Sequence, residues 1–120
     1  MRIRKLKNIQ SFKAGDSTIL KEILHPERDY QFDARYSLAH AKLEVGCESD
    51  KHKLKTDEVY YILSGNGEMT IDDETEIVET GDTIEIPPHA VQSIKNIGDT
   101  ILEFLCIVDP AWRVEDEEIL

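Results

Sequence analysis

An imidazole and a carboxylate six positions apart, His52 and Glu58, stand beside the strand-like run VYYILSGNG. One nitrogen donor and one oxygen donor at that separation are half of a metal site, and the same pair can move a proton. Between them, Leu54 occupies the position where a second histidine would complete a chelate, and leucine has no lone pair. Glu58 alternates with Tyr60 and Ile62, so in an extended chain these three share one face. An enclosed carboxylate on that face costs several kcal/mol or takes up a proton, unless a cation, His52, a phenol or water compensates it.

Such groups matter only if strands carry them to a common interior. YSLAHAKLEV places Ala39, Ala41, Leu43 and Val45 on one face and Leu38, His40, Lys42 and Glu44 on the other. EVYYILSG is rich in β-branched and aromatic residues, and SGNG turns the chain with Gly65 and Gly67. MTI and ETEIVE flank the acidic turn Asp72-Asp73-Glu74, and TIEI alternates until Pro87-Pro88 stops it. VQSIKN follows, and ILEFLCIV is apolar enough to predict a strand covered on both faces. STILKEIL reads as strand or short helix, and VEDEEIL is the one segment that reads as helix. Turn signals about every eight to twelve residues predict an all-β sandwich or closed barrel.

A chain of 120 residues, 40% hydrophobic and 32% charged, suits one domain with a single core. The net charge of −11 repels phosphate backbones, so no nucleic-acid partner is expected despite Arg2, Arg4, Lys5 and Lys7. No apolar run approaches the ~20 residues of a membrane span, so no membrane partner is expected either. MRIRKLKNIQSF lacks the apolar segment of a secretory signal, which makes a cytoplasmic location the expectation. Cys47 and Cys106 are too few for a disulfide framework, and neither has a neighbour that would activate a thiolate.

The spacing Gly46, His52, Leu54, Glu58, Gly65 resembles the first motif of the cupins, and Gly81, Pro87, His89, Gln92, Asn96 resembles the second. The resemblance covers roughly residues 36–109 and extends to a Pro-Ala-Trp-Arg tail found in a subgroup of small cupins. It implies an all-β double-stranded β-helix, the jelly-roll barrel. Residues 1–35 would then be an amino-terminal arm with edge strands, 36–109 the barrel, and 110–120 a tail packing on it. It also implies that His52 and Glu58 match metal-ligand positions, whereas Leu54 and Gln92 replace the other two histidines. His89 falls on a glycine position of the second motif.

Two readings follow for the site. In one, His52 Nε2, Glu58 and the amide oxygen of Gln92 hold a divalent cation such as Mn, Fe, Ni or Zn. In the other, His52 and Glu58 hydrogen-bond inside a pocket with Gln92 as a polar liner. Glu58, or a metal-bound water, is the candidate base, and Tyr60 the candidate pocket phenol. His89 is a loop residue or a group at the pocket mouth. His40 lies on the mixed face of its strand, where an interior role near the site is an alternative, and His25 before Pro26 caps a turn. Trp112 and Arg113 cover a barrel end, bind an anion or pack across a dimer interface. Lys51, Lys53 and Lys55 form a solvated loop face or draw an anionic ligand to the mouth.

The function expected is that of a small cupin binding a divalent metal, a small organic ligand or both. If it is an enzyme, an isomerase, lyase or hydrolase acting on a sugar-like or anionic substrate fits. A metal-free binding module and a structural, dimerising protein are the alternatives. A homodimer is expected, since VYYIL and ILEFLCIV carry more apolar surface than one small barrel interior needs.

Overall fold

The computed structural model describes residues 1–120. Its strands, in chain order, are β1 (Phe12–Lys13), β2 (Ile19–Leu24), β3 (Ser37–Leu43), β4 (His52–Leu54), β5 (Asp57–Ser64) and β6 (Asn66–Ile71). There follow β7 (Glu74–Glu79), β8 (Thr83–Ile86), β9 (Gln92–Asn96), β10 (Leu102–Asp109) and β11 (Glu117–Ile119). They make a six-stranded sheet, ordered β1-β2-β3-β10-β5-β8, and a five-stranded sheet, ordered β11-β4-β9-β6-β7. Strands far apart in sequence are neighbours, with β10 between β3 and β5 and β9 between β4 and β6, so the two sheets form a jelly-roll barrel. No helix is long and apolar enough to cross a membrane.

Alternation decides which residues fill the barrel. In β5, Glu58, Tyr60 and Ile62 are buried, while Asp57, Tyr61 and Leu63 are exposed. β10 buries Leu102, Phe104, Cys106 and Val108 but leaves Ile107 exposed, so this strand is covered on one face and not on both. The inward residues also change along the strands. At one end Leu43, Ile62, Met69, Ile94 and Leu102 pack a dry core. Fully burying each such side chain contributes about 1.5–3 kcal/mol. Towards the other end the inward positions become Ser37, Ala39, Glu58 and Gln92, which are small or polar and leave space.

STILKEIL resolves as strand, paired to β3 with Leu20 opposite Ala41. The tail departs from the helix read in its sequence. Val114–Asp116 form one short 3-10 turn, and Glu117–Ile119 pair antiparallel with β4, Glu117 opposite Leu54. The edge of β4 offers backbone donors and acceptors that would otherwise lack strand partners, and pairing there outweighs the weak helical preference of a short acidic segment.

Gly65 and Gly81 separate two effects at similar backbone angles, φ +94° and +91°. A Cβ on Gly65 would lie 2.9 Å from Ile101 O and Leu102 Cα, whereas one on Gly81 meets nothing within 4 Å. Both alanine variants incur the left-handed strain, about 1 kcal/mol or more, and Gly65→Ala adds a backbone clash. Urea unfolding should therefore rank Gly65→Ala below Gly81→Ala by about 1–3 kcal/mol. Equal losses would show that the Gly65 turn yields freely.

Candidate functional site

The space left by Ser37 and Ala39 is a cavity of about 360 Å3 between the sheets. Its walls come from the β1–β2 hairpin, Arg28, β3, β4 with β5, β10, and the tail. Phe104, Val108 and Leu20 give it an apolar side, and Asp16, His52, Glu58 and Glu117 a polar one.

Glu58 is 7% exposed and is tied to the opposite sheet by a short relay. Gln92 Nε2 donates to Glu58 Oε1 at 2.8 Å, and the Tyr60 hydroxyl donates to Gln92 Oε1 at 2.9 Å. Gln92 pairs with His52 across β9 and β4, so the motif residues Gln92, His52 and Glu58 do converge. Burial drives the Glu58 carboxyl up to about 8, opposed by the Gln92 hydrogen bond and assisted by the nearby negative charges of Asp16 and Glu117. Burial, then Glu58, pushes the Tyr60 phenol well above its ordinary range, so it stays protonated. The Tyr60 ring packs on Phe104 with centroids 4.6 Å apart. Burial likewise pushes the Cys106 thiol up, which keeps it from being a nucleophile.

His52 Nδ1 lies 2.8 Å from the carbonyl oxygen of Asp50, a contact that places the proton on Nδ1. Its Nε2 then faces Asp16 Oδ2 at 3.5 Å. Asp16 is fixed in turn, because its Oδ1 accepts from the Thr18 amide at 3.1 Å and the Thr18 hydroxyl at 2.7 Å. Trp112 Nε1 donates to Glu117 Oε2 at 3.2 Å. Arg28 is engaged by Glu22 through two contacts, Nε to Oε1 at 2.6 Å and a terminal nitrogen to Oε2 at 2.9 Å.

As arranged, His52, Glu58 and Gln92 do not fit a divalent metal. Gln92 turns its N–H end to Glu58, so the oxygen that would ligate faces the Tyr60 hydroxyl and not the carboxyl with which it would share a metal. Leu54 is buried and contributes no donor. No group of three or more His, Cys, Asp or Glu side chains is placed to hold a metal ion.

The remaining sequence candidates lie elsewhere. His89 is exposed with φ +69° and lines only a shallow polar groove beside Lys53, Lys55 and the tail. His40 points away from the cavity to Glu103, 3.8 Å away, and burial lowers its pKa. His25 donates from Nε2 to Trp112 O and accepts the Glu27 amide at Nδ1, a turn cap that also anchors the tail. Lys51, Lys53 and Lys55 do not line the cavity, and Lys53 sits 3.5 Å from Glu118. Arg113 turns to Asp116. Sequence reasoning missed Asp16, Glu117 and the Glu22–Arg28 pair. Asp16-Ser17-Thr18 carries the signature of a side-chain-capped turn, which marks a bend but not a cavity wall.

Residues 39–108 match the cupin domain. An uncharacterised protein of Methanocaldococcus jannaschii is 42% identical over 113 residues, 93% of this chain and 89% of that protein. Among solved structures, the nucleoside dehydratase Pac13 aligns with a TM-score of 0.79 at 18% identity, covering 100% of this chain and 91% of its own. A Streptomyces variant of Pac13 was solved with uridine. A predicted oxalate decarboxylase of Thermotoga maritima aligns with a TM-score of 0.78 at 23% identity, covering 89% and 97% of the two chains. At such identities the structural likeness is one of fold.

The raised Glu58 pKa has a signed consequence for stability. Between the ordinary carboxyl value of 4.5 and about 8, the unfolded chain has lost this proton and the folded chain keeps it. Folding then takes up a proton, so stability falls as pH rises through that window and levels off above it. Glu58→Gln removes the titration and keeps the acceptor for Gln92. In urea titrations at pH 5, 6, 7 and 8, the wild type should lose a few kcal/mol relative to Glu58→Gln. Parallel pH profiles would mean that Glu58 ionises normally.

Proposed function

The chain belongs to the cupin domain family, and from that premise we propose that its barrel interior binds a small organic molecule with which Glu58 exchanges a proton. The observation that supports this is a buried carboxyl anchored at one oxygen only, in the wall of a cavity of about 360 Å3. Because Gln92 donates to Oε1, the proton of the neutral acid resides on Oε2, which has no hydrogen-bond partner in the protein. A group that loses its proton near pH 8 is mostly protonated at neutrality and still close enough to that pH to take the proton back.

Tyr60 acts chiefly through Gln92. Its hydroxyl fixes the carboxamide, and the carboxamide fixes which oxygen of Glu58 faces the ligand. His52 supplies a second proton acceptor at Nε2, its ring oriented by the Nδ1 hydrogen bond to the Asp50 carbonyl. One group that gives a proton and one that takes it suit an isomerase or a lyase, since both reactions remove a proton at one atom and deliver one at another. Pac13, seen with uridine, is an instance of a similar barrel holding a small molecule. A divalent metal has no place in this reading, for the geometric reason given above. The free thiols Cys47 and Cys106 suit a reducing, cytoplasmic setting.

The outer face of the larger sheet supports a homodimer. Leu38, Val59, Leu105 and Ile107 form cross-strand neighbours there, with Tyr61 and Leu63 exposed beside them. Lys21 and Lys42 flank this band on the β2–β3 side, and Glu85 lies on the β8 side. A twofold axis along β10 sets the flank carrying Lys21 in one copy against the flank carrying Glu85 in the other, while Lys42 is paired within its own chain with Glu103 at 3.5 Å.

Two measurements follow. A thermal-shift screen of small organic molecules should give ligands that raise the melting temperature increasingly with concentration and lose that effect in Ala39→Trp, which fills the cavity. Ligands that stabilise both proteins equally would place binding elsewhere. In sedimentation velocity, the wild type should run as a dimer at micromolar concentration and Tyr61→Lys as a monomer. A monomeric wild type would refute the interface.

A further inference from the structure

We infer that the cavity selects a small organic cation, an ammonium group carried on an apolar body, with Asp16, Glu58 and Glu117 receiving the charge; this rests on the cavity being a ligand site. The polar wall is net acidic. Asp16 and Glu117 are carboxylates brought from opposite ends of the chain, and both face the same space as Glu58. The one arginine in the lining is Arg28, and both of its contacting nitrogens are engaged by Glu22. An anion entering would meet these carboxyls with no unpaired guanidinium or ammonium group to receive it.

Three features mark the wall as built for a ligand. Glu58 is more than nine-tenths buried, is aimed into the cavity and leaves Oε2 without a partner. Glu117 is held in place by the Trp112 indole, which donates to its Oε2 at 3.2 Å. Asp16 is oriented by Thr18 through Oδ1, which leaves Oδ2 turned towards His52. An ammonium has three N–H donors, and carboxyl oxygens in this wall accept them.

The rest of the cavity fits the remainder of such a molecule. Phe12, Leu20, Phe104 and Val108 line it with apolar surface and suit a short alkyl or aryl body. When the amine is bound, Glu58 is a carboxylate, its proton having passed to an incoming neutral amine nitrogen or to water. The chain's net charge of −11 draws cations towards it and repels anions.

The test uses three carbon skeletons, benzyl, phenylethyl and cyclohexylmethyl, each ending in an amine, an alcohol or a carboxylate. Their affinities for the full-length protein are measured by isothermal titration calorimetry at pH 7.5. The amine of at least one skeleton should bind at least tenfold more tightly than the matching alcohol, and the carboxylate should not bind. Asp16→Asn and Glu117→Gln should each weaken the amine by about tenfold with unchanged folding, since each removes a charged hydrogen-bond acceptor. Should either variant misfold, the other carries the test. Alcohols or carboxylates that bind as tightly as the amines, and lose binding in Ala39→Trp, overturn the charge selection and leave the pocket standing. Absence of binding by all nine compounds overturns both.

Discussion

The Gln92 carboxamide is hydrogen-bonded at both ends inside the barrel, to the Tyr60 hydroxyl and to the Glu58 carboxyl. Both partners belong to β5 in the larger sheet, while Gln92 belongs to β9 in the smaller, so the bonds cross the interior. A buried amide left unsatisfied costs about 1–3 kcal/mol, and a buried ionised carboxylate costs more. The relay meets both demands together. Each polar atom of the carboxamide has a partner, and Glu58 avoids the larger penalty by keeping its proton.

The rest of the site follows from that constraint. Glu58 cannot rotate away from Gln92 without stranding an N–H, so one oxygen is held and the other is presented to the cavity. The cavity exists because Ser37 and Ala39 are too small to fill the space that Leu43, Ile62 and Leu102 fill at the other end. A large inward residue at Ala39 would convert the site into more core. Stability and function thus compete for the same interior volume, and the polar end of the barrel is where the fold gives up packing.

Much of this was legible in the residues. Alternation in β5 placed Glu58, Tyr60 and Ile62 on one inward face, and the two motif spacings brought His52, Glu58 and Gln92 together from separate segments. What the spacing did not reveal was the orientation of the Gln92 amide. That depends on the Tyr60 hydroxyl, and it turns a suspected ligand into a structural clamp. Asp16 and Glu117 were hidden for a different reason. They lie in stretches that read as an arm and a tail, and they reach the cavity only through long-range pairing of β2 with β3 and of β11 with β4. Local pattern carries no information about such pairings. Lys51, Lys53 and Lys55, which read either as a solvated loop face or as a draw for an anionic ligand, stand outside the cavity wall, and Asp16, Glu58 and Glu117 stand in it.

The site's chemistry depends on Glu58 being a neutral acid at physiological pH, and its ionisation can be observed directly. Carbon-13 NMR of the glutamate side-chain carboxyls, with Glu58 assigned by its absence from Glu58→Gln, follows that one group from pH 4 to pH 10. A midpoint near 8, separate from the other glutamates, is the result predicted. A midpoint between 4 and 5 would contradict it, for the carboxyl would then be charged at neutrality and the burial argument would fail.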